Sequence, residues 1–221
     1  MELKPEDRAN TWLPNLHGKI KRGGGMDSDL KTFLHSIDGI HGVSRPSITE
    51  EISMGEYDVY EEITKQYKPK TILEIGVLFG YSSIAMIMGC HDVLKEFIGY
   101  DTELFTKNSN AIAGMNINLL FQKLDIMDRR GIVKFTNVLN LGVFANKYDI
   151  VHIDGDHSFK GCYSDLQKFY PASQKLVIVH DYFYKDCPDV RKAVDKFEKD
   201  IGGFKQKTEY KNKRGLILIE K

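Results

Sequence analysis

From Lys70 onward, short apolar runs alternate with longer stretches whose apolar residues recur every three or four positions. The runs at Thr71–Ile75, Phe97–Tyr100, Ile132–Phe135, Tyr148–Ile153 and Lys175–Val179 have the length and β-branched content of buried strands. The intervening stretches predict helices over Ser82–Met88, 108–123, 161–170 and 190–201, the last with Val190, Val194 and Phe197 on one face. Strands separated by helices of about ten residues imply βαβ units and a mostly parallel sheet. Two further strand-like runs, 204–210 and 215–220, flank Lys211-Asn-Lys-Arg214 and predict a hairpin, with the last strand antiparallel at the sheet edge. The expected fold class is therefore α/β, a doubly wound sheet of seven strands.

Upstream of Lys70 the pattern is helical. Leu30, Phe33, Leu34 and Ile37 predict a helix within 27–41, with Asp27 or Ser28 as its cap and Gly39 as its stop. Tyr57, Tyr60, Ile63 and Tyr67 predict a second, ending before Pro69, with a loop at Gly42–Pro46. Residues 1–26 contain Pro5, Pro14 and the glycine run Gly23–Gly25, and read as a flexible arm. Trp12 and Leu13 offer that arm a contact with the body or with a second copy, so a homodimer is one reading. The expected division is arm 1–26, helical lid or substrate segment 27–68, and main domain 69–221.

Charge changes the picture little. Lys+Arg and Asp+Glu both number 31, which argues against a nucleic-acid binder. Residues 185–221 hold 11 basic and 7 acidic side chains, and read as a solvated helix and hairpin. Cys90, Cys162 and Cys187 are isolated, without the spacing of a disulfide framework or zinc knot, and fit a reduced compartment. The charged N-terminus is unlike a signal peptide, and no apolar run approaches the ~20 residues of a membrane span. A cytoplasmic location is expected, with no membrane partner.

Candidate chemistry lies where two apolar runs end. Asp149-Ile-Val-His-Ile-Asp154-Gly-Asp156-His157 and Leu176-Val-Ile-Val-His180-Asp181-Tyr182 both stop abruptly in acid and imidazole. Strand ends are where a buried sheet displays polar groups. These residues could hold a divalent cation, a general base, or both. His152, inside the first of these runs, reads as a satisfied core histidine.

A third strand end is glycine-spaced: Thr71-Ile-Leu-Glu74-Ile-Gly76-Val-Leu-Phe-Gly80-Tyr-Ser82-Ser83. Gly76 and Gly80 permit a sharp bend and close approach of a ligand, and Ser82 and Ser83 can cap the helix that follows. Ile98-Gly-Tyr-Asp101 ends the next strand in an acid able to accept from two ribose hydroxyls. The spacing Glu74-x-Gly76-x-x-x-Gly80 differs from the dinucleotide pattern Gly-x-Gly-x-x-Gly.

In these motifs the chain resembles class I S-adenosylmethionine-dependent methyltransferases of Rossmann-like fold. The likeness is strongest to the macrocin O-methyltransferase and cephalosporin-hydroxylase-like group, and extends more distantly to catechol O-methyltransferase. It runs from about Ile52 to Glu220 and rests on Leu73–Ser83, Asp101, Ile153-Asp-Gly-Asp-His-Ser158 and Val177-Ile-Val-His-Asp-Tyr182. The resemblance implies an S-adenosyl-L-methionine cofactor. Gly76 and Gly80 would form its turn, Glu74 would orient that turn or bind the amino group, Ser82 the carboxylate and Asp101 the ribose. Met54 and Gly55 match the segment that closes over the cofactor in catechol-type enzymes, and the adenine contact would fall near Asn137–Asn140.

Metal-dependent relatives place cation ligands at the positions of Asp154, His180 and Asp181. His180 stands where they often carry an acid, and imidazole suits manganese, iron or zinc better than magnesium. The expected cation is Mg or Mn. His157 occupies the position of a lysine base in catechol-type enzymes and is the first candidate base, with Asp156 as runner-up. The resemblance thus implies methylation of a hydroxyl on a small acceptor such as a sugar. Two alternatives stay open: an RNA or cap methyltransferase sharing the fold, and a non-catalytic binding module.

Overall fold

Each apolar run becomes a strand in the computed structural model, which describes residues 28–40, 46–102, 108–137, 146–211 and 214–221. The strands are β1 (Thr71–Ile75), β2 (Glu96–Tyr100), β3 (Val133–Thr136), β4 (Tyr148–Ile153), β5 (Ser173–Val179), β6 (Gln206–Tyr210) and β7 (Leu216–Glu220). They form one sheet in the order β3-β2-β1-β4-β5-β7-β6. The pairs β1–β2, β1–β4, β2–β3 and β4–β5 are parallel, and β7 runs antiparallel to both β5 and β6. The order reverses between β1 and β4, and the crevice beyond the carboxyl ends of such a pair is where open α/β sheets bind ligands.

Alternation along the strands divides the core into two layers. Ile72, Phe97, Ile150, Leu176 and Ile178 face one cluster, which contains residues of α1 (Ser28–Ile37), α2 (Pro46–Ser53), α3 (Asp58–Tyr67), α4 (Tyr81–Cys90) and α5 (Ser109–Lys123). Leu73, Ile75, Val151, Val177 and Val179 face the other, against α6 (Phe159–Phe169) and α7 (Pro188–Asp200). All six residues of β4 are buried, as befits a central strand covered on both faces.

Three local expectations need correction. Residues 46–53 form a helix rather than the tail of a loop. Pro46 occupies its first position, where a missing N–H costs nothing, and Ile48 and Ile52 are buried one turn apart. The last strand does not lie at the edge. The run Leu216–Ile219 is buried and sits between β5 and β6, while the more polar Gln-Lys-Thr-Glu-Tyr of β6 takes the edge. Finally, Gly80 rather than a serine caps α4; Ser82 and Ser83 fall in its first turn and donate to Glu74 instead.

The arm, with Trp12 and Leu13, lies outside the described residues, as does most of the expected adenine loop at 138–140. Among the described residues, no helix is long and apolar enough to cross a membrane.

Candidate active site

The turn after β1 is held in shape by backbone contacts. Gly76 has φ +84°, and its N–H donates to the Tyr100 carbonyl at 2.8 Å. A Cβ there would stand 2.0 Å from the Asp154 carbonyl oxygen, so only glycine lets the end of β1 lie against the end of β4. Leu78 and Gly80 are also left-handed, at φ 51° and 78°. Asp101 Oδ2 accepts from the Val77 and Leu78 N–H groups at 3.0 and 2.8 Å, so the acid that ends β2 ties down the turn after β1.

Beneath the turn lies a buried polar network. Glu74, inside β1, accepts from Ser82 Oγ at 2.6 Å and from Ser83 Oγ. Its Oε1 also lies 3.0 Å from His152 Nδ1, and His152 Nε2 lies 3.1 Å from the Tyr60 hydroxyl. His152 is therefore a fully buried histidine with both nitrogens engaged. Glu74 is wholly buried as well; its contacts serve the start of α4.

The acid and imidazole residues at the ends of β4 and β5 converge. The main chain brings them together: Asp154 N–H donates to Ile75 O at 2.7 Å, and His180 N–H to Ile153 O at 3.1 Å. Asp154 Oδ1 lies 3.1 Å from His157 Nε2 and 3.2 Å from His180 Nδ1. His157 Nε2 is also 3.4 Å from Asp181 Oδ2, and its Nδ1 is 3.5 Å from Cys187 Sγ. His180 Nε2 is bonded to Glu56 Oε1 at 2.9 Å. Asp181 is fully buried in the left-handed region, at φ 58°, with Arg214 Nη1 3.5 Å from its Oδ1. Arg214 Nη2 pairs with Glu51 Oε1 at 2.5 Å, and Tyr57 donates to Glu51 Oε2 at 2.9 Å.

These contacts shift the ionisations. Burial opposes charge on Asp154, yet the neighbouring His180 and His157 hold its carboxyl well below the usual range. The hydrogen bond to Asp154 pushes the His157 imidazole above its ordinary value of 6.5, against burial. Burial likewise works against a charged His180, but Asp154, Asp181 and Glu56 outweigh it and push the imidazole well up. Burial raises Asp181, helped by the Asp154 charge.

The arrangement fits a divalent cation. Ligand atoms of Asp154, His180 and Asp181 lie within 4.8 Å of one another. Among the described residues, both Asp181 oxygens and His180 Nδ1 are buried without a hydrogen-bond partner, and a cation between them would add to the positive charge that Arg214 and His157 bring from the side. His157, Asp181 and Cys187 form a second such group around the same aspartate. The turn and Asp101 fit a nucleoside-bearing ligand on different grounds: left-handed residues at the head of a helix, at the point where strand order reverses.

Not every candidate joins the cluster. Asp156 is exposed and its Oδ1 accepts from the Ser158 N–H, shaping the start of α6 instead. Met54 is exposed, and Gly55, at φ +72°, makes the turn between α2 and α3. That turn delivers Glu56, which the sequence reading passed over together with Glu51, Arg214 and Cys187. Arg214 had been assigned to a solvated basic hairpin. Only the proximity of Glu56 to Met54 and Gly55 marked any of the four beforehand.

Comparison with known proteins agrees with this geometry. Residues 73–182 match a family described as "Methyltransferase domain". No curated protein matches the chain by sequence. Among solved structures, an O-methyltransferase from Bacillus cereus in complex with SAH aligns with TM-score 0.56 at 15% identity, over 89% of this chain and 92% of that one. An SAH-bound methyltransferase from Podospora anserina aligns with TM-score 0.62 at 16% identity, over 90% and 89%. The O-methyltransferase TomG from Streptomyces achromogenes, in complex with SAM, aligns with TM-score 0.59 at 13% identity, over 89% and 90%.

Proposed function

We propose that this chain, whose residues 73–182 match the methyltransferase domain family, is a class I S-adenosylmethionine-dependent methyltransferase that methylates a hydroxyl of a small acceptor of sugar type, with help from a divalent cation. The observation that carries this reading is the contact of Gly76 with the Asp154 carbonyl, which sets the donor turn directly beside the acid and imidazole cluster. A hydroxyl is a weak nucleophile near neutrality and must lose its proton as it attacks. This centre offers both physical remedies for that.

Gly76, Gly80 and Asp101 would hold S-adenosylmethionine, with Met54 and Gly55 closing over it and Ser82 near its carboxylate. Glu74, fully engaged with Ser82, Ser83 and His152, acts by keeping the turn in place. When bound, the sulfonium supplies an activated methyl group for in-line displacement. Asp154, His180 and Asp181 would hold the cation, which would supply Lewis acidity toward the acceptor oxygen.

His157 is the base. Its Nε2 faces the Asp154 and Asp181 carboxylates, so a proton there leaves the lone pair on Nδ1, where an acceptor hydroxyl would displace the Cys187 thiol now 3.5 Å away and give up its proton. The same carboxylates stabilise the resulting imidazolium. The side chain is 39% exposed, so an acceptor can reach it.

The test is calorimetry with S-adenosylhomocysteine, followed by methyl transfer to a panel of sugars, sugar nucleotides and catechols. Saturable binding and a methylated hydroxyl are expected. No binding at about 1 mM product, an affinity weaker than about 4 kcal/mol, would sink the reading.

A further inference from the structure

Glu56 and His180 are 124 positions apart in the chain, yet they meet at 2.9 Å in a buried contact. A neutral imidazole carries one proton. When one nitrogen donates it to a carboxylate, the other presents a lone pair. Here Nε2 faces Glu56, so an ion that displaces a proton from the ring would find the lone pair on Nδ1. That atom is buried without a hydrogen-bond partner, 3.2 Å from Asp154 Oδ1 and 3.7 Å from Asp181 Oδ1. A ring nitrogen and two carboxylate oxygens turned on one point call for a positive charge among them, either a proton on Nδ1 or a bound cation that takes its place. Asp181 points the same way: among the described residues both its oxygens are buried without a hydrogen-bond partner, and they meet positive charge only in the longer contacts with Arg214 and His157.

We propose that Glu56 is a positioning residue that fixes His180 as an Nδ1 donor, and that the centre is thereby matched to a first-row transition ion, Mn2+ or Fe2+, over Mg2+. The inference rests on the cation-assisted reading above and specifies the ion. Magnesium takes a near-octahedral shell of oxygens and gives up water reluctantly. A nitrogen donor among oxygens shifts preference toward transition ions. Glu56 strengthens that donor by accepting its other proton, and such outer partners are worth about 10–100-fold in metal affinity. Glu56 belongs to the turn between α2 and α3, so the N-terminal helices would determine which ion the sheet ends take.

The test uses the whole chain stripped with a chelator. Mn2+ is titrated by electron paramagnetic resonance, Mg2+ by competition, and S-adenosylhomocysteine by calorimetry on the same samples. The wild type is expected to prefer Mn2+ and to show nitrogen modulation in the spin echo of the bound ion. His180→Asp should keep binding, lose the modulation and lower the Mn2+/Mg2+ ratio about tenfold or more. Glu56→Ala should weaken Mn2+ about 10–100-fold with product affinity unchanged, and Glu56→Gln, which keeps the shape, should fall between. Nitrogen modulation absent from the wild type overturns the proposal, as does Mn2+ affinity unmoved by either Glu56 variant. Failure to bind Mn2+ while S-adenosylhomocysteine still binds overturns it too, assigning the buried charges to an imidazolium at His180. Loss of S-adenosylhomocysteine binding in the wild type would instead defeat the methyltransferase reading.

Discussion

His152 and Glu74 face each other across the pairing of β1 with β4, imidazole Nδ1 3.0 Å from carboxylate Oε1. The contact joins the two strands that carry the glycine turn and Asp154, and it lies wholly inside the protein. Glu74→Ala would leave His152, Ser82 and Ser83 without their shared acceptor, at about 1–3 kcal/mol for each unsatisfied group. The variant should unfold at least about 3 kcal/mol more easily in denaturant, whereas Glu74→Gln should keep most of the stability. Equal stability of the alanine variant and the wild type would show that the network contributes nothing.

Gly76→Ala places a methyl group 2.0 Å from the Asp154 carbonyl at a φ of +84°. The two main chains must separate, and the residue itself is strained by about 1–2 kcal/mol. Affinity for S-adenosylhomocysteine should fall more than about 100-fold, which is roughly 2.7 kcal/mol. Calorimetry reads this directly.

His157→Gln removes the proposed base but leaves the turn untouched. Turnover at saturating acceptor should fall about 10²–10⁴-fold, with product affinity unchanged. A variant retaining full turnover would pass the proton's destination to another group.

Asp165 supplies a pH test away from the cluster. Burial in α6, aided by the charge of Asp156 and opposed by Lys168, raises its carboxyl from 3.8 to about 6. The folded state therefore favours the protonated form. Its contribution to stability is complete below about 3.8 and is lost as the pH rises through about 6. Asp165→Asn should stabilise the protein at pH 8 by an amount on the order of 1–3 kcal/mol, and the two unfolding curves should converge near pH 4. A stability gain of the same size at both pH values would contradict the shift.

Strand positions were legible because burial on both faces leaves a continuous apolar run, and β4 and β5 stop where their chemistry begins. The glycine turn was legible because its backbone tolerates no other residue at Gly76. α2 was not, since Pro46 reads as a break when it is in fact a helix start. The edge strand was misplaced because a hairpin in sequence does not say which of its strands pairs inward; the burial of Leu216–Ile219 decides that. Glu51, Glu56 and Arg214 were hidden for a different reason. A charge at the rim of a helix or in a turn looks solvated until its partner is known, and the partner of Glu56 comes from β5, far along the chain. Asp156 erred in the opposite direction: its neighbours in sequence are catalytic candidates, while its own carboxylate is used up in starting α6.

The meeting of Gly76 with Asp154 is between two main chains, so the span from the glycine turn to the acid and imidazole cluster does not depend on the side chains that border it. In engineering terms the interval is a fixed gauge. Substitutions around it can reshape the cleft without resetting it. The N-terminal helices are tied to that gauge, because a replacement segment must bring partners for His180, Arg214 and His152 in place of Glu56, Glu51 and Tyr60.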